Sequence, residues 1–288
     1  MLNRGEVYDR VVIFDYDGVI TDGNPMAVLS MMKGLEEALH IHGLGKFDSD
    51  AFSQAAVQSK GTTEQVFFDK YLKLKGLGLE KIRELESTVY NDFIVYRKRF
   101  LAEMNKKRDN KKSDEGYINK DFIHLMQSLK KMDQEDGIKT CYIIATGNPI
   151  IVLDERLPDE VRNMFNIVEG GESGFNRKDI IQDVLGAMEF RKEINKATKV
   201  FYLDDTSEAI LSVANKNPEG RQRHNYDVFS IHVDRLNQPS EEILNLEKRP
   251  DHPVFHVKNL RDISLMSYLN PKNHGSIEGS LVNRQVRK

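Results

Sequence analysis

Residues 11–22 read Val-Val-Ile-Phe-Asp-Tyr-Asp-Gly-Val-Ile-Thr-Asp, and the rest of the chain is interpreted from this stretch. The first four residues are apolar and mostly β-branched, which predicts a buried strand that ends where the carboxylates begin. Open α/β sheets bind ligands at the carboxyl ends of their strands, so Asp15 and Asp17 are expected in a crevice. Alternation along an extended chain places both carboxylates on one side, and Gly18 lets the backbone turn away. An acidic turn with no chemical role is the alternative.

The composition excludes several classes of function. The chain has 288 residues, with 42 Lys and Arg against 45 Asp and Glu, so its net charge of −3 gives no global attraction to nucleic acid or membrane. No nucleic-acid partner is therefore expected. The single cysteine, Cys141, lies among apolar residues and is expected to be a buried strand thiol rather than a nucleophile. The sequence shows no secretory signal or transmembrane run, which predicts a cytoplasmic protein as written, with signal-less secretion left open.

Helical periodicity dominates residues 25–116. Apolar residues recur at helical spacing in three segments, and the longest runs from Leu79 to Lys107. We interpret this region as an all-helical domain inserted into an α/β core of residues 1–24 and 117–269, followed by a flexible polar tail, 270–288. The basic run over 97–112 is expected to lie mainly on solvated helix faces, with a docking patch for acidic partners as the alternative.

Further strands end in polar residues. Residues 140–145 predict a buried strand followed by Thr146-Gly147, and residues 200–203 predict another followed by Asp204-Asp205, with Lys178 opening the helix between them. Strands that alternate with helices indicate a parallel, Rossmann-like sheet whose carboxyl ends converge. Carboxylates, a hydroxyl and a lysine there supply the nucleophile, metal ligands and phosphate-binding groups that phosphoryl transfer requires.

In this order, the Asp-x-Asp-Gly motif, Thr146, Lys178 and the Asp-Asp pair resemble the four motifs of the haloacid dehalogenase (HAD) superfamily. The resemblance covers roughly residues 7–24 and 117–260, and the helical insertion resembles the superfamily's type 1 cap. It implies that Asp15 is the nucleophile and that Asp17 is the general acid/base.

The resemblance also implies the other roles. Mg²⁺ would be bound by the Asp15 carboxylate, the Asp17 backbone carbonyl and Asp204, while Asp205 would have a supporting role. Thr146, with Gly147 beside it, and Lys178 would hold the phosphate. An acid at position 17 is typical of superfamily members that handle phosphate esters rather than of dehalogenases.

Three functions stay open at the level of sequence. The first is a Mg²⁺-dependent hydrolase of small phosphate monoesters that forms an aspartyl-phosphate. The second is a phosphoprotein (phosphotyrosine) phosphatase, and the third is a binding module that has kept the fold without turnover. The sequence identifies neither the substrate nor the oligomeric state.

Overall fold

The sheet is built outward from strand β1, Arg10–Phe14, whose five residues are all buried. The structure is a computed structural model that describes residues 7–174, 176–214, 226, 228–235, 241–247 and 254–274. The other strands are β2 Thr140–Ala145, β3 Ile167–Glu169, β4 Lys199–Asp204, β5 Val228–Val233 and β6 Val254–Val257. All six are parallel, in the order β3-β2-β1-β4-β5-β6. The predicted parallel, Rossmann-like α/β architecture is confirmed.

Helices cover both faces of the sheet. Alternate residues of each strand point to opposite faces, so each face carries its own set of side chains. Val12 and Phe14 of β1 enter one apolar cluster, and Val11 and Ile13 enter the other. The helices outside the insertion are α5 Lys120–Asp136, α6 Ile150–Arg156, α7 Asp159–Arg162, α8 Arg177–Phe190, α9 Ser207–Ala214, α10 Glu241–Glu247 and α11 Ile263–Leu269. Cys141 is a buried residue of β2, as the sequence predicts.

Four helices form the insertion between β1 and β2: α1 Pro25–Ile41, α2 Ser49–Gln58, α3 Glu64–Leu74 and α4 Leu79–Lys107. Phe68, Phe93 and Leu35 lie in its separate apolar cluster, which also takes in Val152 of α6. Helices α1 and α4 approach closely at Gly34, where an added Cβ would lie 2.5 Å from Cγ of Arg97. The helical content predicted for residues 25–116 is observed, whereas the exact domain boundaries stay a prediction.

The basic run is less uniform than the sequence indicates. Arg97 is fully buried and pairs with Glu64 of α3, while Lys106 and Lys107 are exposed at the end of α4. The expectation of a solvated face therefore fails at Arg97, because this position of α4 faces α1 and α3.

The described residues extend a short way into the predicted tail. Pro271–Asn273 form a 3₁₀ turn, and the ring of His274 packs on Phe229 with centroids 4.5 Å apart. Residues 275–288 lie outside the described part of the chain. Among the described residues, no helix combines the length and apolarity needed to cross a bilayer.

Candidate active site

Strand order brings the motif residues together. Strand β1 lies between β2 and β4, and its last residue, Phe14, is in register with Ile144 and Leu203. Asp15, Thr146 and Asp204 therefore leave the same edge of the sheet on three adjacent strands. The backbone NH of Asp15 also donates to the carbonyl of Leu203, at 2.9 Å, which holds the start of the β1 loop against β4.

The Asp15 carboxyl is almost fully buried, with 3% of its side chain exposed. Its Oδ1 accepts hydrogen bonds of 2.7 Å from the backbone NH of Tyr16 and from Nη2 of Arg177. Burial raises the pKa of Asp15 well above its ordinary value, and neighbouring acids raise it further, while Arg177 opposes the rise. Asp15 is thus a carboxyl group whose charge depends on the cations placed beside it.

Arg177 occupies the position beside Asp15 that the sequence analysis expected for Lys178. The side chain of Asn176 caps α8 by accepting from the NH of Asp179 at 3.1 Å, so Arg177 is the first helical residue. Its guanidinium is buried between Asp15 and Asp204, and its Nε lies 3.5 Å from Oδ2 of Asp204. The role of Lys178 stays a prediction.

Asp15, Asp204 and Asp205 form a group in which one ligand oxygen from each lies within 4.8 Å of the others. Asp204 is fully buried; its Oδ1 accepts from the backbone NH of Thr206 at 2.7 Å, and Tyr202 donates to its Oδ2. Burial and the charges of Asp204 and Asp17 raise the pKa of Asp205 to about 7. Such a cluster of hard oxygen donors fits a divalent cation, which would relieve the repulsion. Asp205 thereby becomes a candidate ligand rather than only a supporting residue.

Gly18 makes room for Asp205. Its φ of +81° favours glycine, and a Cβ there would lie 2.0 Å from Oδ2 of Asp205. The predicted sharp turn after the two acids is therefore also a steric requirement of the carboxylate cluster.

Asp17 faces a different set of partners. Its side chain is 44% exposed, and its two carboxylate oxygens accept from Nη2 and Nη1 of Arg156, at 2.5 and 3.2 Å. Nδ2 of Asn148 donates to Oδ2 at 2.8 Å. Partial burial would raise the pKa of Asp17, but the Arg156 pair and the Asn148 hydrogen bond lower it below its ordinary value. The carboxylate of Asp17 lies outside the three-acid group, and any metal contact through its carbonyl stays a prediction.

Thr146 and Gly147 lie where the insertion meets the core. Thr146 is fully buried, and its hydroxyl accepts from Nδ2 of Asn148 at 2.8 Å. The carbonyl of Gly147 accepts from the backbone NH of Glu64 in the insertion, at 3.1 Å. A Cβ at Gly147 would lie 2.4 Å from the carbonyl oxygen of Thr62 and 2.7 Å from Nη1 of Arg177. Residues 61–64 therefore cover this end of the site.

Buried polar atoms that make no hydrogen bond lie at the same place. Within the described part of the chain, Nε and Nη1 of Arg177 and the hydroxyl of Thr63 are buried and make no hydrogen bond. Unsatisfied buried donors are costly, and a cationic donor beside a hydroxyl is suited to an anion. Neither Thr63 nor Arg156 was predicted from the sequence, because Arg156 contacts Asp17 from 139 residues away and Thr63 reaches the site only through the placement of the insertion.

No family model and no curated protein matches the sequence. Solved structures do match. β-Phosphoglucomutase from Clostridium difficile has 18% identity and a TM-score of 0.52, and the match covers 90% of this chain and 96% of that one. A HAD hydrolase of family IA, variant 3, from Entamoeba histolytica has 16% identity and a TM-score of 0.50, with 92% and 100% covered.

A third structure, CbbY from Rhodobacter sphaeroides in complex with xylulose-(1,5)bisphosphate, has 10% identity and a TM-score of 0.50. It covers 88% of this chain and 95% of that chain. Identities this low establish the fold and not the activity. The chain therefore has the fold of the haloacid dehalogenase superfamily, with Asp15, Thr146 and Asp204 at the carboxyl edge of its sheet.

Proposed function

We propose that this protein is a Mg²⁺-dependent phosphomonoester hydrolase that acts on a small phosphorylated metabolite through an aspartyl-phosphate on Asp15. The observation that supports this most is the contrast between two carboxyl groups. Asp15 is buried against Arg177 and beside Asp204 and Asp205, whereas Asp17 is half-exposed and held by Arg156. The buried Asp15, with Arg177 and two further acids beside it, is suited to attack a bound phosphate, whereas the half-exposed Asp17 can reach the leaving oxygen.

The first step is transfer of the phosphoryl group to Asp15. An oxygen of the ionised Asp15 carboxylate attacks phosphorus, and the bond from phosphorus to the substrate oxygen breaks. The negative charge of a bound phosphate would raise the pKa of Asp17 from the lowered value that Arg156 gives it, so that Asp17 takes up a proton and then gives it to the leaving oxygen. Arg177 favours the ionised nucleophile, because its guanidinium lowers the pKa of Asp15.

The second step releases phosphate. Asp17, now ionised, takes a proton from a water molecule, whose oxygen attacks phosphorus. The bond from phosphorus to the Asp15 oxygen breaks, which regenerates the carboxylate and yields inorganic phosphate. The arrangement of Asp17 with Arg156 and Asn148 corresponds to this ionised form.

Asp15, Asp204 and Asp205 would hold Mg²⁺, since their oxygens already lie within 4.8 Å of one another. When bound, the ion would offset the negative charge of the carboxylates and of the phosphate oxygens. The phosphate itself would meet the unsatisfied donors of Arg177, together with Thr63, Thr146 and Gly147. Lys178 is retained as a further phosphate-binding candidate.

The contacts between insertion and core favour a small substrate. The NH of Glu64 donates to Gly147, and Thr62 pairs with Asn176 in an isolated bridge, so the insertion contacts the residues that we propose to bind phosphate. An insertion that closes over a site excludes water and disfavours a folded phosphoprotein as substrate. Phosphorylated sugars are a reasonable first class to test, because the CbbY structure contains xylulose-(1,5)bisphosphate.

The proposal is tested by phosphate release from sugar phosphates, nucleoside monophosphates, p-nitrophenyl phosphate and phosphotyrosine peptides, with Mg²⁺ and with EDTA. We expect turnover that needs Mg²⁺ and falls by about 10⁴-fold or more in Asp15→Asn, since the nucleophile is removed. Borohydride reduction of the enzyme during turnover should mark residue 15 in a mass spectrum.

The matched control is Asp22→Asn, which removes an exposed acid seven residues along the same loop. It should retain wild-type turnover. Preference for phosphotyrosine peptides would support the phosphoprotein alternative. Release of halide from 2-haloacids, without phosphate release from any ester, would contradict the proposed reaction.

A further inference from the structure

Arg156 is a buried arginine that the four-motif resemblance does not assign. It is the last residue of α6, and its side chain is 1% exposed. Its Nη1 and Nη2 both reach the Asp17 carboxylate, and Nη1 also donates to Oδ1 of Asn148 at 2.9 Å. The guanidinium lies 5.1 Å from the ring centroid of Tyr16. A two-pronged pair of this type fixes the direction of a carboxylate as well as its charge.

The same guanidinium also holds a second acid, Asp114. Nε of Arg156 donates to Oδ2 of Asp114 at 3.0 Å, and Asp114 is fully buried. Asp114 belongs to the segment that returns the chain from α4 to α5, which is one of the two connections between insertion and core. Arg156 thus joins a candidate catalytic carboxylate to a connection of the insertion.

The other connection reaches the same place. Asn24, immediately before α1, donates through Nδ2 to Oδ1 of Asp114 at 2.5 Å and to the carbonyl of Ser113 at 2.9 Å. The hydroxyl of Tyr16 donates to Oδ2 of Asp114 at 2.9 Å. The two connections, at Asn24 and Asp114, therefore lie around Arg156 together with Tyr16, the residue between Asp15 and Asp17.

Stability alone does not account for this arrangement. Asp114 already supplies a fully buried counter-charge for the Arg156 guanidinium. Arg156 instead holds a second carboxylate that is half-exposed at the reactive edge of the sheet. A contact that leaves one partner open to the site is better suited to orienting that partner than to filling a core.

We propose that Arg156 is a positioning residue, which sets the orientation of the Asp17 carboxylate and couples it to the connections at Asn24 and Asp114. A change in how the insertion sits would then be transmitted to Asp17. The inference rests on the proposed function, in which Asp17 is the general acid/base.

Leaving-group dependence separates this role from a structural one. An alkyl phosphate needs a proton on its leaving oxygen, whereas p-nitrophenolate leaves readily without one. We expect Arg156→Gln to lower kcat/KM for an alkyl phosphate by about 100-fold, the scale of a misplaced catalytic group. For p-nitrophenyl phosphate, kcat/KM should stay within about 3-fold, because the second step does not enter that ratio.

Two further variants sharpen the test. Adding Arg156→Gln to Asp17→Asn should have almost no additional effect on the alkyl phosphate, since the group being positioned is already absent. Arg156→Lys should recover only part of the rate, because an ammonium lacks the two-pronged geometry. Asp114→Asn should shift the leaving-group dependence in the same direction by a smaller factor.

The matched control is Arg10→Gln. Arg10 is also fully buried and paired with an aspartate, Asp133, but it lies at the opposite end of β1. This variant should lower the melting temperature and leave the ratio of the two substrates unchanged. Equal losses on both substrates in Arg156→Gln, or full additivity with Asp17→Asn, would overturn the proposal.

A crystal structure of the Arg156→Gln chain decides the matter without any turnover. We expect the Asp17 carboxylate in a different rotamer, with Asp114 still bound to Tyr16 and Asn24. An unchanged Asp17 would contradict the role of Arg156 even in an active enzyme. Failure of the wild type to release phosphate would instead count against the proposed function.

Discussion

Arg177 and Lys178 are consecutive residues, yet their side chains leave helix α8 in directions about 100° apart. A contact with the Asp15 carboxylate is made from the first turn of this helix. The structure places Arg177 there, with Nη2 2.7 Å from the carboxylate and two donors still unsatisfied. A guanidinium can hold the nucleophile and a phosphate oxygen at once, which a single ammonium does less well.

At this scale we predict that Arg177→Ala lowers kcat/KM by about 100-fold or more, as expected when a donor to a transferring phosphoryl group is lost. Lys178→Ala, the matched neighbour, should cost less than about tenfold. Steady-state kinetics on the best substrate of the panel measure both. A larger loss in Lys178→Ala would return the phosphate-binding role to the lysine.

The positions of single site residues were predictable from the sequence where those residues follow a predicted strand. Asp15 and Asp204 follow apolar runs, so their position at the sheet edge depends only on local pattern. Arg156 and Arg177 were not predictable in this way, because their partners lie 139 and 162 residues away. Their roles depend on the direction of one side chain in the assembled fold.

The contact between α1 and α4 has no space for a side chain at Gly34. An added Cβ would lie 2.5 Å from Cγ of Arg97 and 2.8 Å from the carbonyl oxygen of Phe93. Gly34→Ala should therefore destabilise the protein by about 1–3 kcal/mol through overpacking, although alanine is the better helix former. Thermal and urea unfolding measure the change.

The control for this prediction is Gly116→Ala, where an added Cβ meets nothing within 4 Å. Its stability should stay within about 0.5 kcal/mol of wild type. A stabilised Gly34→Ala protein would mean that the two helices are not packed as closely as described.

The start of α5 is tied to the loop after β1 by Asp121 and Arg235. The guanidinium of Arg235 pairs with Asp121 at 2.7 Å and donates to the carbonyl of Gly18 at 2.9 Å. Burial opposes ionisation of Asp121, but hydrogen bonds from Arg235 and from the backbone of Leu260 lower its pKa below the ordinary 3.8. The ionised form is therefore favoured by folding.

A lowered pKa stabilises the fold above the unfolded value and loses that contribution as the pH falls through the folded value. We predict that Asp121→Asn is less stable than wild type by about 1–2 kcal/mol at pH 7, through loss of charged hydrogen bonds. The difference should shrink as the pH falls below about 4. Unfolding curves from pH 3 to 7 test this, and a constant difference would contradict it.

Elements with strong periodicity were predictable, and short ones were not. The predicted limits of α4, Leu79 and Lys107, agree with the structure, because an apolar stripe runs along its whole length. Helix α2 was not predicted, since alanine, serine and glutamine make up much of Ser49–Gln58 and leave few apolar markers. Helix α8 begins at Arg177, one residue before the predicted start at Lys178, and Arg177 is a contact of Asp15 that was not predicted.

At the scale of the whole molecule, the insertion rests on the core through residues 61–64. Gly61 has a φ of +69°, and a Cβ there would lie 2.8 Å from the backbone nitrogen of Ala209. Gly61→Ala should push the insertion away from α9 and lower kcat/KM on small substrates by about tenfold or more, because closure positions the reacting groups. Kinetics and the radius of gyration from X-ray scattering report the two effects.

Gly76→Ala is the control for backbone strain. Gly76 has a φ of +89° in the same insertion, but an added Cβ would meet nothing within 4 Å. Gly76→Ala should be less stable than wild type, because any non-glycine residue is strained in the left-handed region. Its kcat/KM should be unchanged. If both variants have the same kcat/KM, the contact at Gly61 does not contribute to catalysis.

The solitary, inaccessible thiol of Cys141 has a practical consequence for following this closure. The side chain is buried in β2, and burial raises its pKa to about 12, so maleimide and nitroxide reagents should leave it unmodified at neutral pH. A labelled pair can therefore be introduced without first removing a native cysteine. Lys60→Cys on the insertion and Glu208→Cys on the core are both exposed and lie across the Gly61 contact. Nitroxides at these two sites would turn an opening of the insertion into a weaker dipolar coupling between the two spins.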